Sequence, residues 1–163
     1  MSDYPLGELR RDSVELAKRL RLRDVRLLDL RCTATNPLLD GPFRIGSKLD
    51  VRTDVEAERL GVEVRYRIGA VSESEEDQPE VWSVSLRVLA EYVDQGEDEE
   101  KRLDEFSAEE CRAFGLMIGL VTVHPYAREL VQSMSGRMGY PPYTAEMLES
   151  VAVAPDEAVL RIT

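Results

Sequence analysis

Between residues 28 and 92 apolar and polar side chains alternate so regularly that the segment has to form a sheet with one wet face. Leu28, Leu30, Cys32 and Ala34 alternate with Asp29, Arg31, Thr33 and Thr35, and Asn36-Pro37 ends the run. Gly41-Pro42 marks a loop that carries Leu38, Leu39 and Phe43. Next, Leu49, Val51, Val55 and Ala57 oppose Asp50, Arg52, Asp54 and Glu56. Near Leu60-Gly61 the phase inverts, and Leu60, Val62, Val64, Tyr66 and Ile68 become the apolar set, which predicts a hairpin or bulge. After an acidic turn at 73–77, Trp82, Val84, Leu86, Val88, Ala90 and Tyr92 oppose Ser83, Ser85, Arg87 and Glu91. Four successive strands with short links predict an antiparallel meander, solvated on one side. Its polar face mixes Asp29, Asp50, Asp54, Glu56, Glu63 and Glu91 with Arg31, Arg52, Arg65, Arg67 and Arg87, a pattern suited to cross-strand ion pairs.

The flanking segments have helical periods. Asp12 and Glu15 give a D-x-x-E start, and Leu9, Leu16, Ala17 and Leu20 share one face. A charged linker at 94–105 leads to the capping box Ser107–Glu110, after which Cys111, Phe114, Gly115 and Ile118 recur at helical spacing. Pro125 suits the first turn of a further helix, on which Tyr126, Leu130, Met134 and Met138 form a stripe. Gly139 and Pro141 stop it, and the tail at 150–163 alternates weakly, as an extended segment would. Strands first and helices afterwards make an α+β fold. The expected organisation is one domain over 1–163: an N-terminal helical extension at 1–21, the sheet at 22–94, helices at 106–139, and a loop and extended tail at 140–163.

Several chemistries lack the residues they need. A net charge of -11 repels nucleic acid and anionic lipid. The Arg-rich stretch at 10–31 alternates with leucines and acids, as a solvated helix and strand face does. The longest apolar run, 114–123, spans about half of the ~20 residues of a membrane helix. Cys32 and Cys111 stand apart without a C-x-x-C neighbour, so no metal site or disulfide framework is expected, and a reducing cytoplasm is the expected location. Phosphate-binding glycine loops are absent, and no cofactor is expected. His124 is the single histidine and the one candidate base for an enzyme or ligand-binding domain, although its place beside Pro125 suits a cap or interface role.

The run His124-Pro125-Tyr126-Ala127-Arg128-Glu129, with Arg137, Gly139 and Tyr140-Pro141-Pro142 after it, resembles the signature of the SecB family of export chaperones. In that family an apolar run enters a Pro-Tyr-Ala-Arg-Glu helix that ends in Arg, small residues, an aromatic and Pro. The resemblance implies a four-stranded antiparallel sheet packed on helices, assembled as a homotetramer, a dimer of dimers. It also implies ATP-independent holding of unfolded preproteins and delivery to the SecA motor. Three departures, namely His124 itself, the additional N-terminal helix and an extended 151–162 where the family has a helix, resemble the divergent SecB-like proteins that protect an antitoxin in toxin–antitoxin systems. Family members dock SecA partly through acidic residues on the exposed sheet, whereas here the charges are mixed.

A holding site needs adaptable apolar groups that stay accessible in the folded chain. Candidates are Leu38, Leu39 and Phe43, then Met117 and Leu120, and after the helix Tyr140, Tyr143, Met147 and Leu148. Gly115 and Gly119, at G-x-x-x-G spacing, let another backbone approach closely. That backbone belongs either to a second subunit, which makes them oligomer-interface residues, or to the chain's own sheet.

Overall fold

A computed structural model describes residues 2–35, 41–73, 79–96, 101–145 and 159–162. The chain runs β1 (Ser2–Pro5), α1 (Leu6–Arg19), β2 (Leu20–Ala34), β3 (Phe43–Glu56), β4 (Arg59–Ser72) and β5 (Glu80–Asp94). A 3-10 turn at Leu103–Glu105, α2 (Ala108–Phe114), a π-helical turn (Gly115–Gly119), α3 (Leu120–Arg137) and β6 (Val159–Ile162) follow. The α+β fold with a four-stranded antiparallel sheet is as the sequence predicts.

The strand order is β2-β5-β4-β3, however, so only β3 to β5 form a meander. The first long strand crosses over to pair with the last. Alternation reports which face a side chain takes but carries no information about which strand lies alongside. The chain's ends also meet, with β1 pairing antiparallel to β6, a contact between extreme termini that no local pattern announces.

Burial follows position in the sheet. The central strands β4 and β5 bury whole alternating sets, Leu60, Val62, Val64, Tyr66, Ile68 and Ala70 on one and Trp82, Val84, Leu86, Val88, Ala90 and Tyr92 on the other. Phe43 opens β3 and is not part of a loop. The phase inversion is a tight hairpin at Ala57–Glu58, with Ala57 at φ 52, so Ala57 belongs to the turn and not to a strand face. Leu28 is displaced from the apolar face assigned to it: β2 bulges between Leu27 and Asp29, which moves Leu28 to the other side.

The helical layer starts at the predicted capping box. Ser107 Oγ accepts from the Glu110 amide at 3.1 Å, and the Glu110 carboxylate accepts from the Ser107 amide at 2.8 Å. From there helix continues to Arg137, and Pro125 lies inside α3 instead of opening a new helix. The proline removes the bond to the Val121 carbonyl, but both residues are exposed and water can take that carbonyl. Gly139, at φ 90, ends the segment, as its place after the apolar stripe predicts.

Two hydroxyls pin α3 to the sheet. From β5, Tyr92 Oη donates to Thr122 Oγ1 at 2.9 Å, and from β4, Tyr66 Oη lies 3.3 Å from His124 Nδ1. Close by, α1 is tied to the end of β5 by Arg19. Its guanidinium donates to the Asp94 carboxylate and to the Lys101 carbonyl and lies over the Phe106 ring.

Candidate functional site: an uncovered apolar flank of the helix side

The helices cover β4 and β5 but not all of the outer strands. Register places Leu22, Val25, Leu27, Leu30, Cys32 and Ala34 of β2 on the same face as the buried set of β5. Yet Leu22 is 48% exposed and Leu27 45%, whereas their neighbours Tyr92 and Val88 are 3% and 2% exposed. The apolar inner face therefore extends one strand beyond its cover. Thr122, bonded to Tyr92, shows which flank of α3 faces β5 and, past it, β2. One turn further on, Tyr126 is exposed, and Leu130, Met134 and Met138 continue the stripe half-buried. An apolar strand and a Tyr/Leu/Met stripe thus border the same side of the sheet, chemistry that suits varied apolar segments.

The end of this face carries an aromatic cluster. Tyr140 packs edge-on to Phe43 with centroids 6.2 Å apart, and Trp82 lies 6.3 Å from Tyr140 and 6.2 Å from Tyr143. Three of the candidate residues, Phe43, Tyr140 and Tyr143, are thereby brought together. Phe43 and Tyr143 are half-buried, but Tyr140 is buried and donates to the Val81 carbonyl at 3.2 Å. Leu120 is likewise core, 1% exposed, while Met117 is half-buried on the π turn. Tyr140 and Leu120 hold the scaffold and do not face solvent. Leu38, Leu39, Met147 and Leu148 lie outside the described residues.

The Gly115 and Gly119 spacing serves the chain's own sheet. A Cβ on Gly115 would lie 2.7 Å from Thr53 Cγ2, and one on Gly119 would lie 2.5 Å from Val62 Cγ1. The space they leave is already taken within the chain. Of the motif residues, Ala127 is buried against the sheet, Arg128 is half-buried, and Pro125, Tyr126, Glu129, Arg137 and Pro141 are exposed.

Sequence reasoning missed Leu22, Val25 and Leu27, the residues that line the flank on β2. Their spacing breaks the alternation, because the bulge between Leu22 and Asp24 is what brings Leu22 onto the face of Val25 and Leu27, and their exposure depends on β2 being an edge strand.

Among the described residues, the two thiols and the buried tyrosine have the following surroundings. Burial pushes the Cys111 thiol up, with Glu110 adding to the effect and Lys101 opposing it. Burial also pushes up exposed Cys32. Neither thiol gains the thiolate character a nucleophile needs. Burial also pushes the Tyr66 phenol up. Among the described residues, no cluster of three His, Cys, Asp or Glu is placed to hold a metal, and no helix is long and apolar enough to cross a membrane.

A SecB-like chaperone of Mycobacterium tuberculosis, Rv1957, solved with a ChAD peptide from the HigA1 antitoxin, superposes with a TM-score of 0.75. The match covers 87% of this chain and 99% of that one at 21% identity. The chain has the SecB-like fold. The resemblance read from residues 124–142 therefore extends to a fold shared over 87% of the chain. A protein of unknown function from Streptococcus agalactiae matches 78% of this chain and 97% of its own at 15% identity, but its TM-score of 0.37 carries no argument. No family model and no curated protein matches the sequence.

Proposed function

We propose that this chain is a non-enzymatic, SecB-like chaperone that holds an unfolded segment of a client polypeptide, and that the client is an antitoxin. The observation that carries this reading is the fold shared over 99% of a neighbour that was solved with an antitoxin peptide in place. Accessible Leu22, Leu27 and Tyr126 support it, since a holdase has to leave apolar side chains within reach. An extended client laid along β2 would bury these side chains and gain backbone pairing from the strand edge.

Broad export of preproteins and delivery to SecA fit less well. The sheet face that carries acids for SecA in the family resemblance here carries arginines paired to its acids. Assembly into a homo-oligomer in the cytoplasm belongs to the same proposal, and it would multiply weak client contacts by avidity.

Two measurements test it together. One is binding of the HigA1-derived ChAD peptide, followed by anisotropy. The other is suppression of light scattering when a reduced, unfolded secretory protein is diluted into ATP-free buffer. Peptide binding without broad suppression supports the dedicated antitoxin chaperone. Stoichiometric suppression of the secretory protein supports the wider export role. Absence of both sinks the chaperone reading.

A further inference from the structure

Beside the four-stranded sheet, the described residues hold one more ladder, the antiparallel pair β1–β6. Its register is Ser2↔Ile162, Asp3↔Arg161, Tyr4↔Leu160 and Pro5↔Val159. Facing residues in such a ladder alternate between pairs that exchange two hydrogen bonds and closer pairs that exchange none. Proline has no amide to give, so Pro5 belongs in a non-bonded pair. The bonds then fall on Ser2–Ile162 and Tyr4–Leu160, and Asp3–Arg161 is a second non-bonded pair. A two-stranded ribbon this short is marginal in water by itself.

The two strands are anchored unequally. β1 passes without a break into α1 at Leu6. That helix is fixed along its length: Leu9, Ser13 and Leu16 are buried, and Arg19 at its end donates to the Asp94 carboxylate and the Lys101 carbonyl. β6 approaches β1 and β3, and among the described residues no helix or strand adjoins it in the chain. β1 is therefore the fixed member of the ladder and β6 the one that can leave. A segment held by so few bonds opens locally long before the sheet does.

The strand that sits on β1 shows what fits there. Val159, Leu160, Arg161 and Ile162 are three aliphatic residues and one base, extended and antiparallel. Register sets Arg161 against Asp3 and Leu160 against Tyr4, combinations that antiparallel partners favour. An unfolded polypeptide offers the same main-chain donors and acceptors, and adding a strand to an available edge is a general mode of peptide recognition.

We propose that β1 is a strand-exchange site, at which an extended client segment of aliphatic residues around a base displaces β6. β6 is then a built-in competitor that covers β1 until a better-paired segment arrives. The exchange stands on the ladder alone, whereas the client as its incoming strand rests on the chaperone reading.

The test uses the full chain in a Cys32→Ser background and a fluorescein-labelled Glu-Ala-Val-Leu-Arg-Ile-Thr peptide, the sequence of residues 157–163. Asp3→Cys/Arg161→Cys links a non-bonded pair, whose Cα spacing of about 4.5 Å accepts a disulfide, and closes the ladder on oxidation. Leu160→Pro removes an amide from a bonded pair and opens it. By anisotropy the peptide should bind Leu160→Pro about tenfold more tightly than the parent, since a competitor held by two bonded pairs is gone. The oxidised cysteine pair should not bind it until dithiothreitol is added, and because the two forms are one protein, misfolding is not mistaken for closure. Equal peptide binding by the oxidised and reduced forms overturns the exchange. So does a Leu160→Pro protein that binds no better than the parent. Oxidation to a covalent dimer also overturns it, because β6 then pairs with a second copy. The ChAD peptide should follow the same order. Equal ChAD-peptide binding by both forms overturns the client's part in the exchange. Its failure to bind either form counts against the chaperone reading, and the 157–163 peptide still decides the exchange.

Discussion

Replacing Gly119 by alanine should destabilise the chain even though alanine is the better helix former. Helix propensity favours the substitution by about 1 kcal/mol. Against it, the new methyl would lie 2.5 Å from Val62 Cγ1 and 2.9 Å from both Val62 Cβ and Cγ2. Rotating χ1 moves the two γ carbons but leaves the β carbon in place. Relief therefore needs backbone movement in β4, which is hydrogen-bonded to a strand on either side. Overpacking of this kind costs about 1–3 kcal/mol, and the rigid neighbour puts Gly119 near the upper end. The net loss is then about 2 kcal/mol, or a fall of about 4–8 °C in thermal midpoint for a domain of this size. Urea unfolding of wild type, Gly119→Ala, Val62→Ala and the double variant measures it. Val62→Ala alone should lose stability through its cavity, but in the double variant the alanine methyl occupies part of the vacated space. The two losses should fall short of additivity by about 1–2 kcal/mol. A Gly119→Ala protein that is as stable as wild type would refute the packing argument. So would strict additivity. A variant with unchanged unfolding at low concentration but a changed oligomeric state would instead return the glycine to a subunit interface.

Leu27→Ser should change stability by no more than about 0.5 kcal/mol, because the side chain is 45% exposed, yet it should weaken client binding. Leu120→Ala, at a site 1% exposed, should cost about 2–5 kcal/mol by urea unfolding. Burial raises Asp94, but hydrogen bonds from Arg19 and Gly96 and the Arg19 charge outweigh it and leave the carboxyl below its ordinary value. A carboxyl depressed in the folded state adds stability above its unfolded value, about 4, and loses it as pH falls through the folded value. Urea midpoints followed from pH 7 down to 3 should accordingly fall less steeply for Asp94→Asn than for wild type. Tyr92→Phe removes the bond to Thr122 and should cost about 1 kcal/mol by the same unfolding assay, with the fold retained.

Side-chain alternation shows which face a residue takes but not whether anything covers that face. The apolar sets of β4 and β5 were legible residue by residue because central strands bury whatever their inner face presents. Leu22 and Leu27 share the inner face only because β2 bulges between Leu22 and Asp24, and they stay exposed because β2 is an edge that the helices leave partly uncovered. Leu120 and Tyr140 are buried for the converse reason. Both stand beside turns, where loops suggest access, but Leu120 faces the sheet and Tyr140 folds back onto Trp82 and the Val81 carbonyl. The crossover of β2 to β5 was hidden because each strand's alternation is compatible with any neighbour. The capping box at Ser107 and the stop at Gly139 were legible because their causes are local, an N-cap hydroxyl and a left-handed backbone. A site made of edge exposure lies at the opposite extreme, since it exists only where the fold has run out of elements to cover it. On a chaperone that is also where an unfolded client would supply the missing cover.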